Sequence, residues 1–331
     1  MEPIRVAQMG LGAVGCGIVQ TALGRSQLHV VGAVDVDPAK VGRDLGEILG
    51  ANETLDIPVM ASLGDVLNSQ SVDVVLQATG SHIPDVVGQL TEIAAAGCNV
   101  VSTCEELAFP WLRHPALARE IDAKARGCGV TILGTGVNPG FVMDTLVLVA
   151  TAVCSDIRRV VSTRVVAARE RRLALQQKIG SGMEEADFLQ LASQGGIGHV
   201  GLRESFYLIA AGLGWEIADA RESIDPVCAE DSIVTEQFDI AAGQVAGIHQ
   251  TIEGSSHGRE LVLDLTMSMA AAAGRDSISI EANPPMHLEV VGGTHGDQAT
   301  WSMIANMAPR VAEAPAGLLT MLDVGLPRAI G

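Results

Sequence analysis

IRVAQMGLGAVG, residues 4–15, is the stretch that decides the fold. Ile4 to Met9 is a short apolar run of β type. Gly10-Leu11-Gly12-Ala13-Val14-Gly15 follows, and a helical stretch runs on to about Leu23. Residues 29–34 read as the next strand, which ends at Asp35, about 20 residues past the turn. The glycines have separate tasks. Gly10 permits the tight turn, Gly12 lets the backbone approach a pyrophosphate, and Gly15 lets helix and strand pack closely. The helix N-terminus, at Ala13 and Val14, offers N–H groups to the phosphates. The pattern reads as a dinucleotide site with Gly10, Leu11, Gly12, Ala13, Val14, Gly15 and Asp35 on the cofactor side. Asp35 can accept from a ribose 2′-hydroxyl and would repel a 2′-phosphate, which favours NAD. Asp37 adds to that repulsion, while Lys40 and Arg43 are close enough in sequence to leave NADP possible. The plainer role for Asp35 is a turn or helix-capping residue.

The alternation continues outward. Residues 62–68 read as a short helix, 72–78 as a buried strand, 83–96 as a helix and 99–101 as a strand. A helix over 116–126 and a strand over 130–133 follow. Strands alternating with helices imply a parallel sheet with right-handed crossovers. Gly134 to Gly140 is a glycine-rich loop that closes this part. A helix over 143–153 leads away, and helices are expected over 184–193 and 202–213. β-type runs then come in direct succession at 233–240, 245–253, 260–269, 277–282 and 287–291, which suggests a largely antiparallel sheet. The expected fold class is therefore α/β: a Rossmann doubly wound parallel sheet plus a second α+β domain. The boundaries are 1–142 for a dinucleotide-binding domain and 143–294 for a substrate-binding and dimerisation domain. Residues 295–331 form a C-terminal helical segment returning to the first.

Composition narrows the function. The chain is 48% hydrophobic and 18% charged, as a well-buried globular protein is. Its net charge of −18 repels phosphate backbones and anionic lipid, so no nucleic acid and no membrane partner is expected. The six cysteines are scattered with no Cys-x-x-Cys pair, which fits reduced thiols in a cytoplasmic protein. A first strand at Ile4 leaves no room for a signal peptide. No apolar run approaches the ~18 residues of a membrane span. The histidines form no metal-ligand spacing, so no metal is expected.

The chemistry is placed in Ser102-Thr103-Cys104-Glu105-Glu106-Leu107, just past the 99–101 strand. Ligands of such sheets bind at the carboxyl ends of the strands. In an extended segment successive side chains point to opposite faces. One glutamate then faces the pocket while the other caps or pairs. Glu105, nearer the strand end, is preferred for catalysis, with Glu106 as the fallback. A carboxylate there can hold an ammonium group and act as general base. The plainer alternative for both is a surface salt bridge. Cys104 could attack a carbonyl as a thiolate, but a small apolar filler is the favoured reading. Thr79, Gly80, Thr103 and Asn138 are further cofactor-side candidates. His199 and His295 sit in glycine-flanked loops and could line a pocket or be structural. Gly254-x-Ser256-x-Gly258 matches a nucleophile elbow on paper, but a β-type run follows it, so it reads as a hairpin turn.

Several segments together resemble the 2,4-diaminopentanoate dehydrogenases and the related native NAD(P)-dependent amine dehydrogenases, often described as dihydrodipicolinate reductase-like. They are Gly10 to Gly17, Ser102 to Trp111, Gly134 to Asp144, Gln177 to Met183, Gly198 to Ser205, and Gly292 through Leu322. The resemblance implies reversible oxidative deamination of an amine to a ketone plus ammonia, with 2,4-diaminopentanoate or a simple amine as substrate. It implies a homodimer, and a glutamate of the Glu-Glu pair as the key catalytic group. It maps pocket walls to Asn138, Pro139, Phe141 and Met143, and to His199 and Thr294. The His-His pair, downstream Lys and Ser-Gly-Thr segment of true dihydrodipicolinate reductases are absent, which puts that activity in doubt. A substrate carboxylate would need a cation, for which Arg164, Arg169, Arg171 and Arg172 are candidates. The rival readings are a semialdehyde or alcohol dehydrogenase on the same scaffold and a non-catalytic NAD-binding protein.

Overall fold

The apolar runs at 4–9, 74–77, 99–102 and 131–134 become adjacent parallel strands; a helix follows each of the first three and leads to the next strand of the sheet, and after the fourth the chain passes into the second unit. In the computed structural model, which describes residues 2–330, the elements run in this order. β1 (Ile4–Met9), α1 (Ala13–Leu23), β2 (Leu28–Val34), α2 (Leu45–Leu49), β3 (Val59–Met60), α3 (Leu63–Leu67), β4 (Val74–Gln77) and α4 (Ile83–Ala95) come first. β5 (Asn99–Ser102), α5 (Pro115–Cys128) and β6 (Thr131–Gly134) follow. Next come α6 (Thr145–Thr151), β7 (Ser155–Ala167), α7 (Leu173–Lys178), α8 (Glu185–Ser193), α9 (Leu202–Leu213), β8 (Ala220–Cys228), β9 (Ile233–Val234) and β10 (Asp239–Ile240). β11 (Val245–Ser256), β12 (Arg259–Ser268), β13 (Arg275–Asn283), β14 (Met286–Val291), α10 (Gly296–Glu313) and β15 (Gly317–Leu319) complete the chain. Two compact units result: Met1–Phe141 with His295–Gly331, and Val142–Thr294.

The first unit carries a seven-stranded, all-parallel sheet in the order β15-β6-β5-β4-β1-β2-β3. The order reverses between β1 and β4, which is the switch point where doubly wound sheets bind ligands. The core shows why these segments take these forms. Val86, Leu90 and Ile93 recur at helical spacing on α4, and all are buried against Val75, Val100 and Ile132 of the sheet. Each such side chain contributes about 1.5–3 kcal/mol by leaving water.

The second unit carries a six-stranded sheet, β14-β13-β7-β12-β11-β8. It is antiparallel except that β12 and β7 run parallel. The expected combination of a parallel Rossmann sheet with a mostly antiparallel one is what the chain adopts. Gly254-x-Ser256-x-Gly258 is a hairpin: β11 ends at Ser256, β12 begins at Arg259, and His257 and Gly258 both have positive φ. That is the signature of a tight two-residue turn.

Three expectations need correction. Residues 233–240 are not one strand but a two-strand hairpin. Its turn is held by the Phe238 amide donating to Thr235 Oγ1 at 3.0 Å and the Thr235 amide to the Phe238 carbonyl. β8 was not expected at all. It is an edge strand, so it tolerates Pro226 and lacks a fully buried face. β15 is three residues long and pairs with β6, too short to show a period. No helix among the described residues is long and apolar enough to cross a membrane.

Candidate active site

The first half of the site is the glycine turn. Gly10 has φ +86°, and a Cβ there would lie 2.5 Å from the Ala78 carbonyl oxygen at the end of β4. A Cβ on Gly15 would lie 1.8 Å from the Gly10 carbonyl oxygen. Any side chain at either position would push strand and helix apart. Gly12 has nothing within 4 Å of where a Cβ would be, and the N-terminus of α1 has no side-chain cap. Space and backbone donors therefore coincide, as a pyrophosphate requires.

Asp35 closes this cradle. Its Oδ2 accepts from the Leu11 amide at 2.7 Å and from Lys40 Nζ at 3.1 Å, and its Oδ1 accepts from the Asp37 amide at 2.9 Å. Partial burial opposes its ionisation, but the two amides and the Lys40 ammonium outweigh that and hold the carboxyl below its ordinary range. A cleft of about 380 Å³ opens here, and its walls include Gly10, Gly12, Asp35 and Thr79. Leu11 joins through its amide. Ala13, Val14 and Gly15 lie behind, in α1, while Gly80, Thr103 and Asn138 are not among the cleft walls. Ser62, Gln89 and Glu92 also line the cleft and were not anticipated. One signal existed. Gln77 is a polar residue ending an apolar strand; it is fully buried and donates to Gln89 Oε1, which also accepts from Thr79 Oγ1.

The second half is the turn after β5. Residues Glu105–Ala108 are not extended; they form a single 3-10 turn. Strand alternation therefore does not apply to Glu105 and Glu106, although the two still differ in environment. Glu106 is buried. Its Oε2 accepts from the Ile83 amide at 2.8 Å, and its Oε1 lies 2.9 Å from His82 Nδ1. His114 Nε2 lies 3.4 Å from Oε2. The N-cap residue of α4, His82, makes no side-chain cap of its own, so Glu106, from the turn after the neighbouring strand β5, serves as the acceptor. Glu105 is half-buried on the same turn. The turn seats through Leu107, whose Cβ would be 2.3 Å from a Cβ on Gly134; only a glycine at the end of β6 admits it. Sequence reasoning missed His82 and His114, because only the fold brings them to Glu106.

Cys104 is buried in the core, where burial, and then the charge of Glu105, push its thiol far above the ordinary range. That setting disfavours the thiolate form a nucleophile would need. His295 caps α10, its Nδ1 accepting from the Gln298 amide at 3.3 Å.

The remaining candidates occupy different places. Pro139 is buried and Phe141 half-buried in the first unit. In the second unit Met143 is buried, and His199 is held through its backbone by Gln250, with its amide 2.7 Å from Gln250 Oε1. The Thr294 amide donates to Asp276 Oδ2 at 2.6 Å. Arg164 is removed from the list of carboxylate partners. It is buried, paired with Asp276 at 2.7 Å, and donates to the Thr294 carbonyl at 2.8 Å. Arg169 donates to the Met269 carbonyl at 2.6 Å.

A glycine cradle on a 3-2-1-4-5-6 parallel sheet, an acid at the end of β2 and a carboxylate turn after β5 together define a dinucleotide-dependent dehydrogenase. The dihydrodipicolinate reductase N-terminal family matches residues 4–104, and the 2,4-diaminopentanoate dehydrogenase C-terminal domain matches residues 141–331. The chain belongs to the 2,4-diaminopentanoate dehydrogenase family and is an NAD(P)-dependent oxidoreductase acting on amines. It is 31% identical to 2,4-diaminopentanoate dehydrogenase of Acetoanaerobium sticklandii, over 100% of this chain and 96% of that one. It is 22% identical to the amine dehydrogenase of Streptomyces virginiae, over 97% and 96% of the two chains. Its fold matches the solved amine dehydrogenase from Mycobacterium smegmatis with a TM-score of 0.87, at 24% identity over 98% and 97%.

Proposed function

We propose that this enzyme catalyses the reversible oxidative deamination of an amine to a ketone, with Glu105 as its acid–base group. The observation that carries the reading is the half-buried Glu105 on a turn clamped at the carboxyl end of β5, in the sheet that also carries the glycine cradle. In balance, an ammonium substrate, oxidised dinucleotide and water give ketone, ammonium ion, reduced dinucleotide and one proton. A nicotinamide dinucleotide held by Gly10, Gly12 and Asp35 supplies the hydride exchange. Glu105 holds the substrate ammonium, takes its proton, and stabilises the positive charge on nitrogen as the C=N bond forms. A fixed anion in a water-poor site acts strongly on such a charge. Glu106 positions the turn from behind.

The first unit is proposed to bind the dinucleotide, with Thr79, Gly80, Thr103 and Asn138 on the cofactor side. Pro139, Phe141, Met143, His199 and Thr294 are assigned to the substrate. With Arg164 committed to Asp276, the candidates for a substrate carboxylate are Arg169, Arg171 and Arg172. The substrate is accordingly 2,4-diaminopentanoate or a simple amine. The protein is proposed to be a cytoplasmic homodimer.

The test is a panel of ketones and aldehydes, including 2-amino-4-oxopentanoate, with NADH or NADPH, run with and without ammonium. Dinucleotide oxidation that requires both ketone and ammonium is expected. Equal oxidation without ammonium would instead mark a carbonyl reductase.

A further inference from the structure

We propose that Lys40 sets the coenzyme choice of this chain by letting the Asp35 cleft take a 2′-phosphorylated ribose as well as an unphosphorylated one. The inference rests on reading that cleft as the dinucleotide site.

Asp35 itself cannot make room. Its two oxygens are pinned by the amides of Leu11 and Asp37, at 2.7 and 2.9 Å. A carboxylate offers about four lone-pair sites, and Leu11, Asp37 and Lys40 use three of them. The one that remains, on Oδ1, suits a single ribose hydroxyl. A 2′-phosphate arriving there meets a fixed like charge, with Asp37 beside Asp35 and Glu92 also in the cleft wall. Val36, largely exposed, has no donor to offer it. The Ser62 hydroxyl is engaged with Asp65, donating to Oδ2 at 2.7 Å.

Lys40 is the cation that faces this group of acids. Its ammonium lies 3.1 Å from Asp35 and 3.6 Å from Asp37, and a quarter of its side chain stays exposed. Its backbone is anchored to the Asp37 carbonyl, but a four-carbon stem lets the ammonium swing. Arg43, the other cation near in sequence, is turned to Glu47 at 3.2 Å. With a 2′-hydroxyl bound, Lys40 stays on Asp35. With a 2′-phosphate bound, it exchanges that carboxylate for the phosphate, one charge-assisted contact for another.

The experiment is equilibrium binding of NADPH and NADH, read by nicotinamide fluorescence, in wild type, Lys40→Met, Lys40→Arg and Asp35→Asn. Wild type should bind both. The ratio Kd(NADPH)/Kd(NADH) should rise about tenfold or more in Lys40→Met, stay near wild type in Lys40→Arg, and fall in Asp35→Asn. A Lys40→Met ratio within about twofold of wild type overturns the proposal, as does a wild type that does not bind NADPH. Equal loss of both coenzymes in Lys40→Met and Lys40→Arg would mean that Lys40 only supports the 37–43 turn, and also overturns it. Should Lys40→Met not fold, Lys40→Gln carries the same expectation. If wild type binds neither coenzyme, the dinucleotide reading itself falls.

Discussion

Glu105, Glu106 and Cys104 are consecutive, yet the fold gives each a different environment. Their order in the chain points to the turn after β5 but does not separate them. What separates them is burial and partners. Glu106 is consumed by the Ile83 amide and two histidines, and Cys104 by the core. Glu105 stays half-buried. A buried thiol whose charged form is disfavoured by its surroundings carries no covalent chemistry. Cys104→Ala is therefore expected to keep kcat for amine oxidation within about threefold of wild type, since only a small apolar volume is lost. Loss of activity in Cys104→Ala and Cys104→Ser alike, with both variants folded, would point to the semialdehyde-type mechanism instead.

At the scale of elements, the central strands of the first unit's sheet were legible because their signals are local, while β3 and β15, of two and three residues, were too short to read. Gly10, Gly12 and Gly15 mark one turn, and the strands are short apolar runs ended by polar or glycine residues. The 3-10 turn at Glu105–Ala108 was not legible. It depends on Leu107 meeting Gly134, and on Glu106 reaching the start of α4. Those contacts span more than 20 residues and leave no period behind them. β8 escaped for a related reason: as an edge strand with Pro226 it needs neither alternation nor a full set of N–H donors. The clamp makes Glu106 a positioning residue. Glu106→Ala leaves the Ile83 amide without its acceptor, at a cost of about 1–3 kcal/mol, so the melting temperature should drop. kcat should fall as well, because a misplaced catalytic group costs up to about a hundredfold. Glu106→Gln keeps one acceptor oxygen and should show a smaller loss of both. A fully stable, fully active Glu106→Ala enzyme would remove the clamp from the account.

At the scale of the molecule, composition bears on the class of partner and not on the substrate. The charge of −18 argues against polyanions but says nothing of the amine. Whether Arg164 could serve a substrate carboxylate was decided by Asp276, 112 residues away. The sheet of the second unit bears on assembly. Along β7 and β12 buried residues alternate with only partly buried ones, among them Val161, Val165 and Val262, which leaves one face less covered than the other. A homodimer formed through this face is expected, and light scattering should give twice the chain mass at micromolar concentration. A monomer mass under those conditions would count against it.

The account stands most directly on Glu105. Turnover of Glu105→Gln with the best amine from the panel should be compared with its equilibrium affinity for NADH. A positioned acid–base group contributes about 10²–10⁴-fold to rate. kcat should fall within that range while NADH binding persists. Near wild-type kcat in Glu105→Gln, with activity lost in Glu106→Gln, would contradict the assignment.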